Sequence, residues 1–325
     1  MLYGALLVLP LTALAWMLAP LPGVKVLGPL GLALLLAAAS RAAFGLPAKA
    51  APGVRFFARP LLRVAIVIMG VRLDFTQLAQ AGPRVLLVDV LVVFLGAAFV
   101  AWLGGRLGVR RSLALLLGTG TSVCGASAIA ATGPLVKADE DDVAVSIGLV
   151  SILGTIGVVS YPALARLLGL ADLPYGLLCG ASLHEVPQVL AAAFARGQEA
   201  GDLGTLVKLT RVALLAPLAL GLAALEARRS GEPISFRHLP IPWFVVGFVA
   251  VGALRSIGVI PSAWVPMLEN VSKLLLVAAM AAVGLGVHAD AVRRLGGAPI
   301  ILAVLGWLFV IGTAFVSAAA LGLLS

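Results

Sequence analysis

The stretch GTGTSVCGASAIAATG, residues 118–133, decides how the rest of this chain can fold. It lies inside a long apolar run, yet nearly every side chain is small, and several carry a hydroxyl or a thiol. On a helix, Gly118, Ser122, Ala126 and Ala130 would share one face, and such small faces let membrane helices approach each other closely. The glycines also favour a helix break, which is tolerated at membrane depth where the backbone is buried in protein or lines a cavity. The stretch therefore indicates either tight packing alone or a polar site at a break.

A repeated tetrapeptide favours the polar site. Cys-Gly-Ala-Ser occupies residues 124–127 and occurs again within CGASLHEVPQ, residues 179–188, which adds a histidine and a glutamate. On a continuous helix Gly180, His184 and Gln188 would share one face. Because histidine exchanges protons near neutral pH, we expect substrate or proton handling here, between two interrupted helices. A structural hydrogen bond between helices is the alternative role for His184.

The composition is that of a membrane protein with many helical spans. The chain has 325 residues, of which 62% are hydrophobic and 11% charged, and its mean hydropathy is +1.13. Soluble domains carry roughly 25% charged residues, and the continuous apolar runs differ from the alternating pattern of a β-barrel. The net charge of +9 comes from residues between apolar runs, which indicates orientation in the membrane rather than nucleic-acid binding. Both cysteines lie in predicted spans, so no disulfide framework is expected.

We predict an all-α integral membrane protein in which residues 1–325 form a single polytopic domain. The apolar N-terminus lacks the basic start of a secretory signal and is interpreted as a retained first span. The distribution of lysine and arginine favours a cytoplasmic N-terminus and a periplasmic C-terminus. The eleven predicted spans are residues 2–19, 26–44, 61–80, 84–104, 112–136, 143–165, 175–196, 204–225, 241–256, 264–288 and 299–324.

A weak internal similarity suggests an inverted repeat. MGVRLD at residues 69–74 resembles VGLGVH at residues 283–288, and each leads through a Gly/Pro-containing turn into the next span. The two copies are an odd number of predicted spans apart, so they would point in opposite directions, as in many secondary transporters with midplane sites between broken helices. The two Cys-Gly-Ala-Ser copies are two spans apart and are predicted to run parallel.

Ionisable residues at membrane depth are functional candidates by default. Counting about 1.5 Å per residue from the span ends places His184 and Lys273 near the middle of the membrane, with the 122–127 segment at similar depth. Lys273 follows Glu269 by four residues, so an intrahelical ion pair is the alternative to a role in the site. Lys208 and Arg211 could form an anion-attracting face or extend to the membrane surface.

No metal-binding or cofactor motif is recognised. A His-Glu-x-x-His zinc site would need a second histidine at position 188, where the chain has Gln188. A phosphate-binding loop of the kind that drives primary pumps is also absent from the sequence. We therefore expect no cofactor, no metal and no enzymatic activity.

Several motifs together resemble one family over nearly the whole chain. They are GTSVCGASAIAA (120–131), DVAVSIG (142–148), GASLHEVPQV (180–189), KLTRV (208–212), SKL (272–274) and AMAAVGLG (279–286). These motifs look like the YeiH-type family of bacterial inner-membrane proteins, which are labelled sulfate exporters. The resemblance implies interrupted helices and an inverted repeat similar to those of bile-acid-symporter and sodium/proton-antiporter carriers. Pro187 departs from the alanine expected there, and a proline is expected to kink the helix after Glu185.

Together these observations predict a secondary transporter of a small anion, sulfate or an organosulfonate, that works by alternating access in the bacterial inner membrane. His184 and Glu185 would couple the transport to an ion, and Lys208 and Arg211 would attract the anion. H⁺ and Na⁺ are both considered as the coupling ion. The other partners considered are membrane lipid and a second copy of the chain in a homodimer. The predicted substrate-binding residues are Thr121, Ser122, Cys124, Gly125, Ser127, Gly180, Ser182, Gln188 and Lys273.

Two other functions remain open at this point. A sodium-coupled organic solute carrier would bind its cation with Glu185 and the carbonyls of an unwound helix. A membrane-embedded enzyme would use His184 and Glu185 as acid and base.

Overall fold

The computed structural model describes residues 1–21, 28–72, 75–230, 243–286 and 296–324, and their side chains except those of 72–81 and 230. The described chain is almost entirely helical and contains no strand, which confirms the predicted all-α class. The helices are α1 Leu2–Leu18, α2 Gly28–Phe44, α3 Ala51–Phe56, α4 Leu62–Met69, α5 Phe75–Arg106, α6 Arg111–Ser122, α7 Ala126–Thr132, α8 Glu140–Leu167, α9 Asp172–Ser182, α10 Val186–Arg196, α11 Gln198–Ala213, α12 Leu215–Ser230, α13 Trp243–Ser256, α14 Val265–Leu285 and α15 Gly297–Ala320. A π-helical turn, Phe57–Leu61, joins α3 to α4.

Where the structure describes them, the predicted spans fall on a helix or on consecutive helices, but the count of eleven spans is not confirmed. Within the described residues, five helical stretches are long and apolar enough to cross a membrane. They are Gly82–Arg106, Glu140–Leu167, Gln198–Arg229, Ser262–Leu285 and Gly297–Ala320. The helices α1, α2 and α13 are apolar but shorter. Asp74 and His288, which end the two copies of the internal similarity, and the terminal Ser325 lie outside the described residues.

The predicted span 112–136 is a helical hairpin rather than a continuous helix. α6 ends at Ser122, the chain turns at 123–125, and α7 returns along α6, so that the hydroxyl oxygens of Thr119 and Thr132 are 3.3 Å apart. At the base of the hairpin, Arg110 forms ion pairs with Asp139 (2.8 Å) and Asp142 (2.5 Å) at the start of α8. This first hairpin therefore enters and leaves at the same end of the bundle, which we call end A.

The predicted span 175–196 is a second hairpin, built from α9 and α10. The Tyr175 hydroxyl donates to the carbonyl of Ala192 at 2.9 Å, which holds the two helices side by side. At its base, Arg196 of α10 pairs with Asp172 of α9 at 2.8 Å and also donates to the Leu170 carbonyl. Because α8 runs from end A to this base, the second hairpin enters from the opposite end of the bundle, which we call end B.

The next segment, α11 and α12, carries the chain back from end B to end A. α11 begins directly after the second hairpin and packs closely on both of its helices, and the backbone of Gly176 lies against that of Ala200. α12 finishes at end A, where Arg111 and Glu226 form a 2.5 Å ion pair. The last two turns of α11 thus pass the point where the two hairpin tips meet.

Two topological predictions are corrected by these hairpins. The Cys-Gly-Ala-Ser copies do not occupy equivalent places on two parallel spans, because residues 124–127 form the first tip whereas residues 179–182 end α9. The span count puts the acidic segment 139–142 on the opposite side from Arg110, yet the two are in contact at end A. The physical reason is the same in both cases: each broken segment turns back at mid-depth.

The remaining helices form a second group beside the hairpins. α14 packs against α2 and α4, α13 against α4, and α1 against α2. The two groups meet chiefly where α10 lies on α2. α5 and α15 cover the outer face of the hairpins, with α5 antiparallel to α6, since Gly104 is close to Ala114 and Gly96 is close to Ser122.

Candidate functional site

A cavity of about 340 Å³ lies where the hairpin tips face the second helix group. Its walls come from both groups, and it lies on the end A side of the tips, next to α7 and the first half of α8. The lining includes Arg59, Arg63, Cys124, Ala126, Ser127, Ser151, Thr155, Glu185, Pro187, Gln188, Trp243, Phe244 and Val283. Of the predicted substrate and coupling residues, the cavity brings together Cys124, Ser127, Glu185 and Gln188.

The tip of the first hairpin depends on Gly125. Its φ of 63° and ψ of −130° lie in a region that L side chains rarely adopt. A Cβ at this position would also lie 2.5 Å from Cγ of Glu185 on the other tip. Glycine therefore permits both the turn and the close approach of the two tips, and it leaves Cys124 and Ser127 on the cavity wall.

The tip of the second hairpin presents a carboxylate to the cavity. Glu185 is the N-cap of α10, and its Oε1 accepts a 2.8 Å hydrogen bond from Ser151 of α8. The side chain of Gln188 closes the turn, because its Oε1 accepts from the Glu185 backbone N–H and its Nε2 donates to the Ser151 carbonyl. Pro187 lies in the first turn of α10, where proline is tolerated, so the predicted kink does not occur.

Two arginines face the tips from the second helix group. Arg59 and Arg63 line the cavity from the π-helical turn and the start of α4, and Arg63 also lies 5.8 Å from the Phe244 ring centroid. Neither residue was predicted from the sequence: Arg59 lies in the basic segment before Pro60, which has the composition of a loop, and Arg63 lies near the end of the predicted span 61–80. The signal that could have found them is Pro60 itself, since a proline inside a helical run removes a backbone hydrogen bond. Here it lies in a π-helical turn, a feature that is frequent at functional sites.

Lys208 and Arg211 are buried behind the tips rather than facing the cavity. The Lys208 ammonium donates to the carbonyls of Val123 (2.6 Å) and Leu183 (2.7 Å), one from each tip. The Arg211 guanidinium donates to further carbonyls of both tips, which are those of Thr121, Ser122, Gly180 and Leu183. The two cations thus neutralise the C-terminal ends of α6 and α9, where helix dipoles are negative.

This arrangement changes the roles of several predicted binding residues. Thr121, Ser122 and Gly180 supply carbonyls to Arg211, and none of the three lines the cavity. The Ser122 hydroxyl faces α5, where it would lie 2.5 Å from a Cβ at Gly96. The Ser182 hydroxyl bonds to the Leu178 carbonyl and lies 2.7 Å from the Tyr161 hydroxyl.

His184 and Lys273 lie away from the cavity. His184 is fully buried on the far side of the second tip, 5.5 Å from the Trp307 ring centroid, and neither of its ring nitrogens has a hydrogen-bond partner among the described residues. The exposed side chain of Lys273 places its ammonium 5.2 Å from the Trp16 ring centroid. His184 and Glu185 are adjacent in sequence but point to opposite sides of the tip, because both lie within the extended break between α9 and α10.

The chain matches known bacterial membrane proteins along most of its length. The family model described as conserved hypothetical protein 698 matches residues 3–303. A UPF0324 membrane protein of Bacillus cereus is 39% identical over 291 residues, covering 89% of this chain and 83% of its own length. Similar proteins occur in Listeria monocytogenes (37% identity, 94% and 92% coverage) and Agrobacterium fabrum (38% identity, 85% and 80% coverage). No solved structure matches the chain. The chain belongs to the conserved hypothetical protein 698 family, the YeiH-type family of membrane proteins.

Proposed function

We propose that this protein is a secondary transporter of a small anion, sulfate or an organosulfonate, in the bacterial inner membrane. The observation that carries the proposal is the cavity at the meeting point of two oppositely directed hairpins, with Arg59 and Arg63 on its wall. Its volume of about 340 Å³ suits a small solute. Guanidinium groups bind oxyanions with paired hydrogen bonds, and Ser127 adds a hydroxyl donor on the opposite wall.

The position of the cavity supports alternating access. One wall belongs to the hairpins and the other to α4, α13 and α14, so a shift of one helix group against the other would change which end of the bundle the cavity faces. The hairpin tips would move as one body, because Lys208 and Arg211 tie them together.

Glu185 is the proposed coupling residue in the cavity. Its carboxylate lies beside the space that the anion would occupy, and both Lys208 and Arg59 interact with it electrostatically. An anion and an ionised Glu185 would repel each other, so anion binding favours protonation of the carboxyl, and by linkage a proton favours anion binding. Arg59 is thus the cavity cation that would interact with both the anion and Glu185, whereas Lys273, which was predicted to bind substrate, lies away from the cavity.

The charges at the two ends of the bundle support an orientation in the membrane. End A carries Arg106, Arg110, Arg111, Arg228 and Arg229, whereas Arg84, Arg166 and Arg196 lie at end B. The excess of arginine at end A supports a cytoplasmic position for that end. The cavity would then face the cytoplasm in this conformation.

The two alternative functions receive less support. A sodium ion at the helix breaks would need free carbonyls, but five tip carbonyls already accept hydrogen bonds from Lys208 and Arg211. An enzyme using His184 and Glu185 together would need both side chains in one cavity, and of the two only Glu185 lines it.

The test is transport of labelled sulfate and methanesulfonate by the purified protein in proteoliposomes. Arg63→Gln should raise the half-saturating anion concentration about 10- to 100-fold, since a hydrogen bond to a charged group contributes roughly 1.5–3 kcal/mol. Arg55→Gln is the matched control, because Arg55 lies in the same segment, is exposed and does not line the cavity. Absence of saturable anion uptake by the wild type, or an equal effect of both variants, would overturn the proposal.

A further inference from the structure

A second buried carboxyl lies on the other side of the hairpin tips. Asp89 of α5 is fully buried, and neither of its carboxylate oxygens has a hydrogen-bond partner in the described part of the chain. Gly96, seven residues later on α5, is level with the first tip at Ser122, so Asp89 lies about 10 Å beyond the tips toward end B. It does not line the cavity, and the transport mechanism proposed above does not use it.

A buried ionised carboxylate lowers the stability of the fold unless nearby groups compensate for its charge. A buried ionised group without hydrogen bonds loses its hydration, and protonation is the usual way to relieve that loss. The side chains that interact with Asp89 electrostatically are Arg211 and Lys208. These are the same two cations that hold the tips of both hairpins.

The other charges on and around α5 lie nearer to the surface of the bundle. α5 contacts α6, α9, α11, α13 and α15, and α15 contains no ionisable side chain. The ionisable groups of α5 itself, of the other four helices and of the two tips are Arg84, Asp89, Arg106, Arg111, Cys124, Asp172, Tyr175, Cys179, His184, Glu185, Glu199, Asp202, Lys208, Arg211 and Arg255.

Most of these groups are satisfied away from Asp89. Arg84 in the third turn of α5 is exposed, as are Arg106 at the end of α5 and Glu199 at the start of α11. Asp202 is partly exposed and accepts a hydrogen bond from Gln198. The side chains of Arg111, Asp172 and Arg255 have partners at the ends of the bundle, which are Glu226, Arg196 and the Val71 carbonyl. The groups that remain close to the tips include two cations, Lys208 and Arg211, and two carboxyls, Asp89 and Glu185.

Two carboxyls interact electrostatically with the cations behind the tips. Lys208 interacts with both Asp89 and Glu185, and Arg211 interacts with Asp89. Arg59 and Arg63 on the cavity wall would bind the anion itself, and negative charge near a carboxyl favours its protonation. Glu185 can take one proton at the cavity and Asp89 a second one, and two protons would make the movement of a divalent anion electroneutral.

We propose that Asp89 is a second proton-binding site, linked through Lys208 and Arg211 to anion binding in the cavity, so that one sulfate moves with two protons. The inference rests on the proposed transport function. A proton on His184 would instead place a third positive charge beside Lys208 and Arg211, so His184 is the poorer carrier. Asp89 also extends the proton pathway toward end B, whereas Glu185 faces the cavity on the end A side.

The experiment measures the number of protons moved per sulfate in proteoliposomes, together with sulfate counterflow at equal pH on both sides. Wild type should move two protons per sulfate. Asp89→Asn should keep counterflow, because the cavity is intact, but should move one proton and become electrogenic. Asp141→Asn is the matched control: it removes an exposed carboxylate in the first turn of α8 and should keep the ratio of two.

Each outcome separates the two proposals. If wild type shows no sulfate counterflow, the transport function itself is wrong. If counterflow occurs and Asp89→Asn still moves two protons per sulfate, the Asp89 site is wrong while the transport function stands. If Asp89→Asn does not fold, the wild-type measurement tests the proposal. Fewer than two protons moved per sulfate, or transport of net charge, would overturn the second proton site.

Discussion

At the scale of single residues, the two tips are fitted to each other through Gly125 and Glu185. Gly125 provides a backbone conformation that other residues rarely adopt and leaves room for the Glu185 side chain. Ser151 and Gln188 then fix the direction of the carboxylate and of the second tip. A substitution that adds one carbon atom at this contact is therefore expected to disturb the packing of both hairpins.

Replacing Gly125 with alanine tests this contact. The positive φ and the 2.5 Å approach to Cγ of Glu185 predict a loss of stability of roughly 1–3 kcal/mol together with slower anion transport. The measurement is thermal unfolding in detergent beside uptake in proteoliposomes. Gly105→Ala is the control, because it is a helical glycine with no described atom of another part of the chain within 4 Å of an added Cβ. An equally mild effect of both substitutions would contradict the described tip.

The two cysteines provide a test of where the cavity lies. Cys124 lines the cavity with 5% of its surface exposed, whereas Cys179 is completely buried in the second hairpin. We expect N-ethylmaleimide to modify Cys124 and to spare Cys179, and we expect sulfate to slow the modification. Mass spectrometry of the single variants Cys124→Ser and Cys179→Ser identifies the modified thiol. Faster modification of Cys179 would place the accessible cavity elsewhere.

At the scale of elements, the hairpins are held at two places, their tips and their bases. Lys208 and Arg211 bind the tips through backbone carbonyls, which any side chains at those positions would supply. The bases are held by side-chain ion pairs at the ends of the bundle. The buried contacts are shielded from water, whereas the bases are exposed and contribute less.

Arg211→Met is expected to loosen both tips at once. The substitution keeps an apolar stem but leaves buried carbonyls without donors, which predicts a loss of roughly 3–5 kcal/mol in the free energy of unfolding. Limited proteolysis and thermal unfolding would measure it. Thr210→Ala, one residue earlier, removes a hydroxyl that bonds to the Leu206 carbonyl within α11 and should change little. Equal stability of the two variants would contradict a tip-holding role for Arg211.

The cap of α8 gives a prediction about pH. The backbone N–H of Asp142, and then Arg110, lower the pKa of the exposed Asp139 carboxyl. A lowered pKa stabilises the fold above the unfolded value of about 3.9, and the contribution is lost as the pH falls through the lower folded value.

Unfolding temperatures of the wild type and Asp139→Asn, measured between about pH 3 and pH 6, should therefore converge at the acidic end. Asp141→Asn is the control, since Asp141 does not cap the helix. A constant difference between wild type and Asp139→Asn across this range would contradict the assignment.

The sequence predicts part of this arrangement and misses the rest for identifiable reasons. The glycines at 118–125 indicate a break, and His184-Glu185 marks the second one, so composition locates both tips. It does not give the direction of the chain after each break, because α7 is as apolar as a continuing helix would be. The roles of Lys208 and Arg211 depend on which carbonyls they meet, and those of Arg59 and Arg63 depend on a π-helical turn.

At the scale of the whole molecule, the hairpins determine the sidedness of every loop between them. A segment that turns back returns the chain to the end from which it came, and the following charges change sides. The acidic loop before α8 therefore joins Arg110 and Arg111 at end A, while Arg166 moves to end B. Each hairpin reverses the predicted direction of the helices that follow it. Because there are two hairpins, one from each end, the helices after the second one have the same direction as in a count of eleven uninterrupted spans.

Cysteine accessibility in membrane vesicles tests the sidedness. In a Cys124→Ser/Cys179→Ser background, cysteines replacing Glu140 and Arg229 should react from the same side, and a cysteine replacing Glu199 should react from the other. These three positions are exposed at the ends of α8, α12 and α11. A reagent confined to one side of the membrane makes the measurement. Labelling of positions 140 and 229 from opposite sides would contradict the first hairpin.

The tie between α11 and the tips has a consequence for biosynthesis. A lysine or arginine at the centre of a membrane helix raises the free energy of insertion by the translocon by about 2.5–3.5 kcal/mol. We therefore expect α11, with Lys208 and Arg211, to insert poorly on its own. The groups that solvate these charges lie in hairpins that are themselves too short to be held as spans. The hairpins and α11 must therefore leave the translocon together, and a chain truncated before Lys208 should be degraded by membrane quality control.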